Sequence, residues 1–365
     1  MLGLMDAFVS HTTALEVLRR WDLRGRLARG ERCIAHVPPR PPSGRELEEL
    51  LAPGTLLGSL PRPIDVLVAD GRGRTRSCDV RAHLQAGPLP EGSAVDLGEG
   101  LLCTSPEHLP VQMASRLTDL ELTCLLSELL GLYAIDPCQD EGMFQRDEPL
   151  TTPDRVLAHL ARLGGRHGVD RVRRALGRAC VRSGSPRETK LALRLSLRPA
   201  LGGWHLNLLS MNEGLAVRRL GECPRSGVRR PDILIGSPDG SEAVAVEYLG
   251  RKHELPARMV QDVARTNELK ALGVSEYLVR REQYDDLDYM DALVEKIRGE
   301  LGYPRVGLTR ASARERRERR EELYRELEHI DGVSWLGRKR ERARAAMRSA
   351  GEGTCELVPL EAYGA

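Results

Sequence analysis

RRPDILIGSPDGSEAVAVEYLGRKH, at residues 229–253, is the segment from which the fold of the chain's second half can be predicted. It contains two short apolar runs, at residues 233–235 and 243–246, and a Pro-Asp-Gly sequence at residues 238–240 between them. Proline presets φ and glycine permits the positive φ of a tight turn, so this segment can reverse the chain. Two apolar runs joined by such a turn predict a β-hairpin.

Two carboxylates are placed on this hairpin where its strands can bring them together. Asp232 precedes the first strand and Glu247 lies near the end of the second, and in a hairpin these two ends are neighbours. Adjacent carboxylates repel each other unless a cation lies between them, and Mg²⁺ takes oxygen ligands of this kind. We therefore expect Asp232 and Glu247 to be ligands of Mg²⁺ or Mn²⁺. Lys252 and His253 follow within reach of the same position.

The flanking sequence predicts a helix before the hairpin and a strand after it. Ser185 is followed at once by a proline and then by Glu188, and both are signals of a helix start. The sequence YLVR at residues 277–280 has the character of a strand. Glu188 is thereby a third acid that a short helix can bring to the hairpin.

This order of elements resembles the core of the PD-(D/E)xK nucleases. In particular, it resembles the C-terminal half of actinobacterial proteins of unknown function, a half that is similar to the very-short-patch-repair (Vsr-like) endonucleases. The family pattern is Ser-Pro-x-Glu, an Asp on a strand, Glu-Tyr-Asp-Gly with a nearby His, then Asp-x-x-Arg and Leu-x-x-x-Gly before a final strand. The corresponding positions in this chain are Ser185 to Glu188, Asp232, residues 247–250, His253, Asp262 with Arg265, and Leu269 with Gly273. The resemblance covers about residues 165–285.

The resemblance implies a metal-dependent DNA endonuclease. Its catalytic residues would be Glu188, Asp232, Glu247, Lys252 and His253. Asp232 and Glu247 would hold the cation, and Glu188 would hold a metal-bound water. Lys252 or His253 would orient the attacking water or offset the phosphate charge.

One position departs from the family pattern, because Leu249 stands where the family has an acid and the wider superfamily a lysine. This departure supports an alternative, a catalytically degenerate nuclease fold that acts as a nucleic-acid-binding or antitoxin-like regulator. Asp232 and Glu188 could also have purely structural roles. Asp232 can pair with Arg229 or Arg230, and Glu188 can answer the dipole of its helix.

The N-terminal part contains a second set of elements. Ser-His-Thr-Thr-Ala at residues 10–14 begins a short predicted helix, and residues 64–69 form a predicted strand. A basic turn at residues 70–74 and a second strand at residues 78–82 complete a predicted hairpin. With Ser-Pro-Glu at residues 105–107, this order resembles the abortive-infection antitoxin AbiEi.

The expected fold class is mixed α/β. We predict an AbiEi-like α+β domain at residues 1–145, a helical connector at 146–180, a restriction-endonuclease-like αβ domain at 181–305 and a basic helical extension at 306–365. In the extension a cluster of cations has only Glu341 to offset it, so we expect it to contact the DNA backbone or, alternatively, to pack on the N-terminal domain. The cluster consists of Arg338, Lys339, Arg340, Arg342 and Arg344.

The composition excludes several classes of protein. The 365 residues are 41% hydrophobic and 30% charged with a net charge of +2, which is typical of a globular chain with room for two domains. The eight cysteines include no C-x-x-C pair, so neither a zinc cluster nor a redox motif is indicated. Without an evident signal peptide or membrane-spanning run, we expect a cytoplasmic protein that binds no membrane. DNA is the partner that the nuclease resemblance implies. A homodimer and a toxin–antitoxin or defence partner are further expectations.

Overall fold

The structure is a computed structural model that describes residues 7–20, 32–33, 36–71, 77–218, 226–250, 269–305 and 307–338. Over these residues the fold is mixed α/β, as the sequence predicts, with helices packed on sheets around two main apolar cores. None of the described helices has the length and apolar character needed to cross a membrane.

The secondary structure alternates between short strands and helices. The described strands are β1 (Ala7–Val9), β2 (Arg32–Cys33), β3 (Ile64–Val68), β4 (Val80–Leu84), β5 (Ala94–Asp96), β6 (Leu101–Thr104), β7 (Tyr133–Ile135), β8 (Met143–Gln145), β9 (Asn207–Ser210), β10 (Leu215–Arg218), β11 (Ser226–Arg229), β12 (Ile233–Gly236), β13 (Ala243–Leu249) and β14 (Ser275–Arg280). The described helices are α1 (His11–Arg19), α2 (Arg45–Leu50), α3 (Leu109–Met113), α4 (Asp119–Leu129), α5 (Pro153–Leu163), α6 (Val169–Leu176), α7 (Pro186–Ser196), α8 (Arg281–Asp285), α9 (Leu287–Glu300) and α10 (Arg310–His329).

The first sheet has the strand order β2-β5-β6-β1-β3-β4. Helix α1 follows β1 directly and packs on β3 and β6, with Leu15 and Leu18 in the first core. This core continues through α4, α5 and α6 and ends, along the chain, at Leu176. The helices of the predicted connector therefore contribute their apolar faces to the first core.

The predicted hairpin at residues 64–82 is wrong. Strands β3 and β4 run parallel, with Asp65 opposite Arg81 and Leu67 opposite His83. A parallel pair needs a connection that carries the chain back to the start of the next strand, so the basic turn does not join the strands as a hairpin. The parallel register places two basic side chains on the strand beside a buried aspartate, which explains why this pairing is favourable.

The second sheet has the strand order β14-β13-β12-β9. The predicted hairpin is confirmed, because β12 and β13 are antiparallel with Ile233 opposite Val246 and Gly236 opposite Ala243. Gly240 in the turn has φ +75°, a conformation that glycine adopts without steric cost. Strand β9 is antiparallel to β12, and β14 runs parallel to β13.

Helix α7 covers one face of the second sheet. The predicted helix start is confirmed, since Ser185 caps the helix and a proline occupies its first turn. Leu191 and Leu195 of α7 are buried against Ile235 and Val244 of the hairpin in the second core. Burial of each such side chain contributes about 1.5–3 kcal/mol, so packing fixes the helix relative to the hairpin.

The chain returns to the first core after α10. Arg19 Nη2 donates to the Gly332 carbonyl at 2.8 Å, and the Arg338 N–H donates to the Arg116 carbonyl at 2.8 Å. Trp335 packs against the first core. Residues 331–338 thus tie the end of the described chain to the N-terminal half.

Candidate functional site

Glu188 is positioned by the first turn of α7. The Ser185 hydroxyl accepts from the Glu188 N–H at 3.1 Å, which fixes the start of the helix. The Glu188 carboxylate turns back toward this start, where Oε2 accepts from the Gly184 N–H at 2.7 Å and from the Asn212 amide at 2.8 Å. The side chain is buried, and its place at a helix N-terminus follows from the local sequence.

Asp232 and Glu247 are held together at the end of the hairpin. The Asp232 N–H donates to Glu247 Oε1 at 3.2 Å, and the Tyr248 N–H donates to Asp232 Oδ2 at 2.9 Å. Each carboxylate therefore accepts a backbone donor from the other strand. Glu247 is buried and Asp232 is half-buried, so the pair lies at the edge of the protein interior.

Asn212 connects the helix start to the hairpin. Its backbone N–H donates to the Pro231 carbonyl at 2.9 Å, and its side-chain amide donates to Glu188 Oε2 at 2.8 Å. The residue has φ +50°, which asparagine tolerates better than most residues. Sequence reasoning missed Asn212, although the Asn-Glu-Gly sequence at residues 212–214 is a turn signal.

Gly184 is a second residue that the sequence did not single out. A Cβ atom at Gly184 would lie 3.0 Å from Glu188 Oε2 and 3.3 Å from the Asn212 amide nitrogen. Because glycine has no Cβ, its N–H can approach the carboxylate closely. A larger residue here would displace the Glu188 carboxylate from its donors.

The electrostatics of the site favour a protonated Glu188. Burial and the neighbouring charge of Asp232 raise the pKa of Glu188 to about 7, although hydrogen bonds from Asn212 and Gly184 oppose that rise. Within the described residues no cation contacts Glu188. The Glu188 carboxyl is therefore more readily protonated than an exposed glutamate.

Strand alternation determines which neighbours share the site. Val244, Val246 and Tyr248 face the second core, so Glu247 and Leu249 point to the opposite face of β13. Leu249 is half-buried and lies two residues beyond Glu247 on that face. Next to Glu247 on this face, the strand therefore carries an apolar side chain.

The carboxylate oxygens of Asp232 and Glu247 suit a hard divalent cation that takes only a few of its ligands from the protein. Over the described ranges, no group of three or more His, Cys, Asp or Glu side chains is arranged to hold a metal ion. Mg²⁺, however, is commonly bound by one or two carboxylates with water and substrate oxygens completing its shell. The adjacent carboxylates of Asp232 and Glu247 fit that mode, and the described residues form no closed cage of protein ligands around a metal ion.

Other predicted site residues are dispersed or fall outside the described part. Arg338 is half-buried in the segment that contacts the N-terminal half. The remaining predicted residues lie outside the described residues: Lys252, His253, Lys339, Arg340, Arg342 and Arg344, and with them Asp262 and Arg265.

A second buried carboxylate lies in the first sheet, and sequence reasoning missed it. Asp65 is fully buried, accepts from the Thr12 hydroxyl and has an oxygen 2.6 Å from His83 Nε2. The same oxygen lies 3.5 Å from Arg81 Nη1 and 3.9 Å from Arg116 Nη1. Burial alone would raise the pKa of Asp65, but the hydrogen bonds and charge of these partners lower it. The signal in the sequence that could have identified Asp65 is its position as the single acid within an apolar predicted strand.

A scan of protein-family models, a search of curated proteins and a search of solved structures each found no significant match to this chain. The arrangement of Glu188, Asp232 and Glu247 therefore has to be interpreted from its own chemistry.

Proposed function

We propose that this chain is a DNA endonuclease-like protein that uses Mg²⁺ or Mn²⁺ to hydrolyse phosphodiester bonds at Asp232, Glu247 and Glu188. Phage defence or DNA repair is the setting that the Vsr-like resemblance implies. The observation that carries the proposal is that the hairpin holds Asp232 and Glu247 side by side, while the charge of Asp232 acts on the Glu188 carboxyl at the start of α7. One of these acids, Glu188, has its pKa raised to about 7.

The order of elements supports a restriction-endonuclease-like core. A capped helix precedes a hairpin, the hairpin carries Asp232 and Glu247 at neighbouring strand ends, and a further strand lies parallel to β13. These are the elements on which the resemblance to the PD-(D/E)xK nucleases rests.

The chain's residues divide the chemistry between them. Asp232 and Glu247 would hold the divalent cation, which when bound supplies an activated water and offsets the negative charge that develops on the phosphate. Glu188, whose pKa is near 7, is suited to accept a proton from the attacking water at neutral pH. The Asn212 and Gly184 donors fix the direction of the Glu188 carboxylate.

A two-stranded arm begins at the same place and can contact the substrate. Strands β10 and β11 pair antiparallel from Leu215 opposite Arg229 to Arg218 opposite Ser226. The arm joins Asn212 on one side and Asp232 on the other, so it starts directly at the acids. We include Arg229 of this arm among the residues that would contact the DNA backbone.

A second function, a catalytically degenerate nucleic-acid-binding or antitoxin-like regulator, is favoured by one observation. Leu249 presents a half-buried apolar side chain on the face that carries Glu247. A nuclease fold that lacks a basic side chain at this position could keep its structure and its binding of nucleic acid while it no longer hydrolyses the phosphodiester bond. The two functions differ in whether DNA is cleaved.

A cleavage assay tests the proposal. Supercoiled plasmid, linear duplex and single-stranded DNA are incubated with the full chain and Mg²⁺ or Mn²⁺, beside Asp232→Asn and a matched control, Glu242→Gln on the exposed hairpin turn. We expect cleavage by the parent chain and the control, and a loss of at least about 100-fold with Asp232→Asn, since that change removes a proposed metal ligand. Absence of cleavage in all three DNA forms, with DNA binding retained, would favour the regulator.

A further inference from the structure

A groove rich in arginine lies at the other end of the second sheet from the acids. Two adjoining cavities of about 990 and 1020 Å³ form it, and they share His205, Arg298, Tyr303 and Pro304. The groove runs between α6, the hairpin turn at Pro238, and the facing parts of α9 and α10. It is therefore built from both halves of the described chain.

The charge of this groove differs sharply from that of the whole protein. Five arginines line one cavity and six line the other, with Arg298 common to both. Among the described lining residues the acids are Asp291 and Glu295. The full sequence has 55 Lys and Arg against 53 Asp and Glu, so this surface concentrates positive charge that is balanced elsewhere.

Half of these ten arginines make no contact with an acid or any other hydrogen-bonding group among the described residues. In the part of the chain that the structure describes, five guanidinium groups make no ion pair and no hydrogen bond: Arg174, Arg178, Arg198, Arg305 and Arg316. By contrast, Arg314 on the same helix as Arg316 lies 2.8 Å from Glu318. The unpaired groups can donate to a ligand without breaking an existing contact.

Like charges are also crowded where the groove meets α10. Burial lowers the pKa of Arg320, and the charges of Arg316 and Arg317 add to that effect although Asp291 opposes it. Residues four apart on a helix face are neighbours, so Arg316 and Arg320 repel each other. A bound polyanion would relieve this repulsion.

We propose that this groove binds the phosphodiester backbone of nucleic acid, on a surface separate from the three acids. Guanidinium groups form two parallel hydrogen bonds to phosphate oxygens, and several unpaired ones along one groove can bind successive phosphates of a nucleic-acid strand. Pro238 lines the groove and Asp232 lies six residues earlier along the hairpin. At about 3.3 Å per strand residue, the two surfaces are roughly 20 Å apart.

Because the two surfaces are separate, binding in the groove can be tested independently of hydrolysis at the three acids. The groove can hold nucleic acid whether or not the acids hydrolyse it, so binding is measured in EDTA, where no cleavage occurs. An acidic protein is the rival partner for a basic surface, and it enters the test as a competing outcome.

The test compares two triple variants that lose the same charge. The groove variant is Arg174→Gln, Arg178→Gln and Arg198→Gln, and the control is Arg40→Gln, Arg45→Gln and Arg155→Gln on exposed surfaces elsewhere. Fluorescence anisotropy with a labelled DNA duplex is recorded between about 50 and 300 mM salt. Thermal unfolding checks that both variants remain folded.

We expect the groove variant to bind duplex DNA at least about tenfold more weakly at the lower salt concentrations, with the control close to the parent chain. The slope of log K against log salt should fall by about 0.9 for each phosphate contact removed. Equal affinities and slopes for the groove variant and the control would overturn the proposal. Tighter binding of polyglutamate than of DNA by the parent chain, abolished in the groove variant, would replace it with an acidic-protein partner.

Discussion

Two buried carboxylates, Asp65 in the first sheet and Glu188 in the second, have opposite surroundings. Asp65 is surrounded by cationic and hydroxyl donors, including His83 and Arg116, and its pKa is lowered. Glu188 has neutral donors and a second acid, Asp232, and its pKa is raised to about 7. A buried acid whose charge is balanced by the protein's own cations stabilises the fold, whereas a buried acid beside a second acid is suited to exchange a proton or to lie near a metal ion.

The largest expected effect is the loss of Asp65. Asp65→Asn leaves the charges of Arg81 and Arg116 and the His83 ring without their buried counter-charge, so we expect the free energy of unfolding to fall by about 3 kcal/mol at pH 7. Urea denaturation measures this change. The exposed pair of Asp79 and Arg62 serves as the control, and Asp79→Asn should cost less than about 1 kcal/mol.

The Asp65 effect also has a defined pH dependence. Because the pKa of Asp65 is lowered in the folded protein, its contribution is present above the ordinary aspartate pKa and is lost as the pH falls through the folded value. The difference between the parent chain and Asp65→Asn should therefore shrink in acid. A stability difference that stays below 1 kcal/mol at pH 7 would mean that Asp65 does not balance these cations.

Glu188 should behave in the opposite way. Its pKa is raised from 4.5 to about 7, so the folded protein keeps a proton that the unfolded chain releases, and stability falls as the pH rises through this window. Glu188→Gln removes the free-energy cost of ionising this buried carboxyl at high pH. In EDTA we expect the variant to be more stable than the parent chain by on the order of 2 kcal/mol at pH 8, and equal to it near pH 4.

The matched control for this experiment is Glu242→Gln, an exposed acid on the same hairpin. It should leave the pH dependence of stability unchanged. If Glu188→Gln destabilised the protein at pH 8, Glu188 would be a paired structural acid like Asp65, and the contrast between the two sites would be lost.

The smallest expected effect on stability concerns Asn212. Asn212→Gly keeps the φ of +50° accessible and removes the amide that donates to Glu188. We expect a loss of about 1 kcal/mol and a further rise in the Glu188 pKa, because the lost hydrogen bond favours the charged form. NMR titration of the glutamate side chains would measure that rise. An unchanged Glu188 titration would show that Asn212 only closes the turn.

Local signals in the sequence predicted the elements that build the candidate site. The Pro-Asp-Gly turn led to the β12–β13 hairpin, and Ser185 with the following proline led to the start of α7. The contact of Asn212 with Glu188 was not predictable in this way, because it joins residues 24 apart through a left-handed turn. The direction in which strands β3 and β4 pair was not predicted for the same reason, because it depends on segments that are distant in the sequence.

The first sheet illustrates that limit. Its strands at residues 64–69 and 78–82 were recognised from their composition, but their parallel pairing was not, because strand direction depends on the connection and on partners elsewhere. Asp65 meets Thr12 and Arg116 only after three separate parts of the chain have packed together. The boundaries proposed for the domains, and the roles of Lys252 and His253, stay predictions.

Isothermal titration of Mg²⁺ into the full chain at pH 7, in two buffers of different ionisation heat, measures whether Asp232 and Glu247 bind a divalent cation next to Glu188. The cation should bind at Asp232 and Glu247, lower the pKa of Glu188 and release protons, since burial and the charge of Asp232 raise the pKa of Glu188 to about 7 before the cation binds. The Asp232→Asn, Glu247→Gln double variant should show neither binding nor release. Equal Mg²⁺ affinity in the parent chain and the double variant would contradict the account.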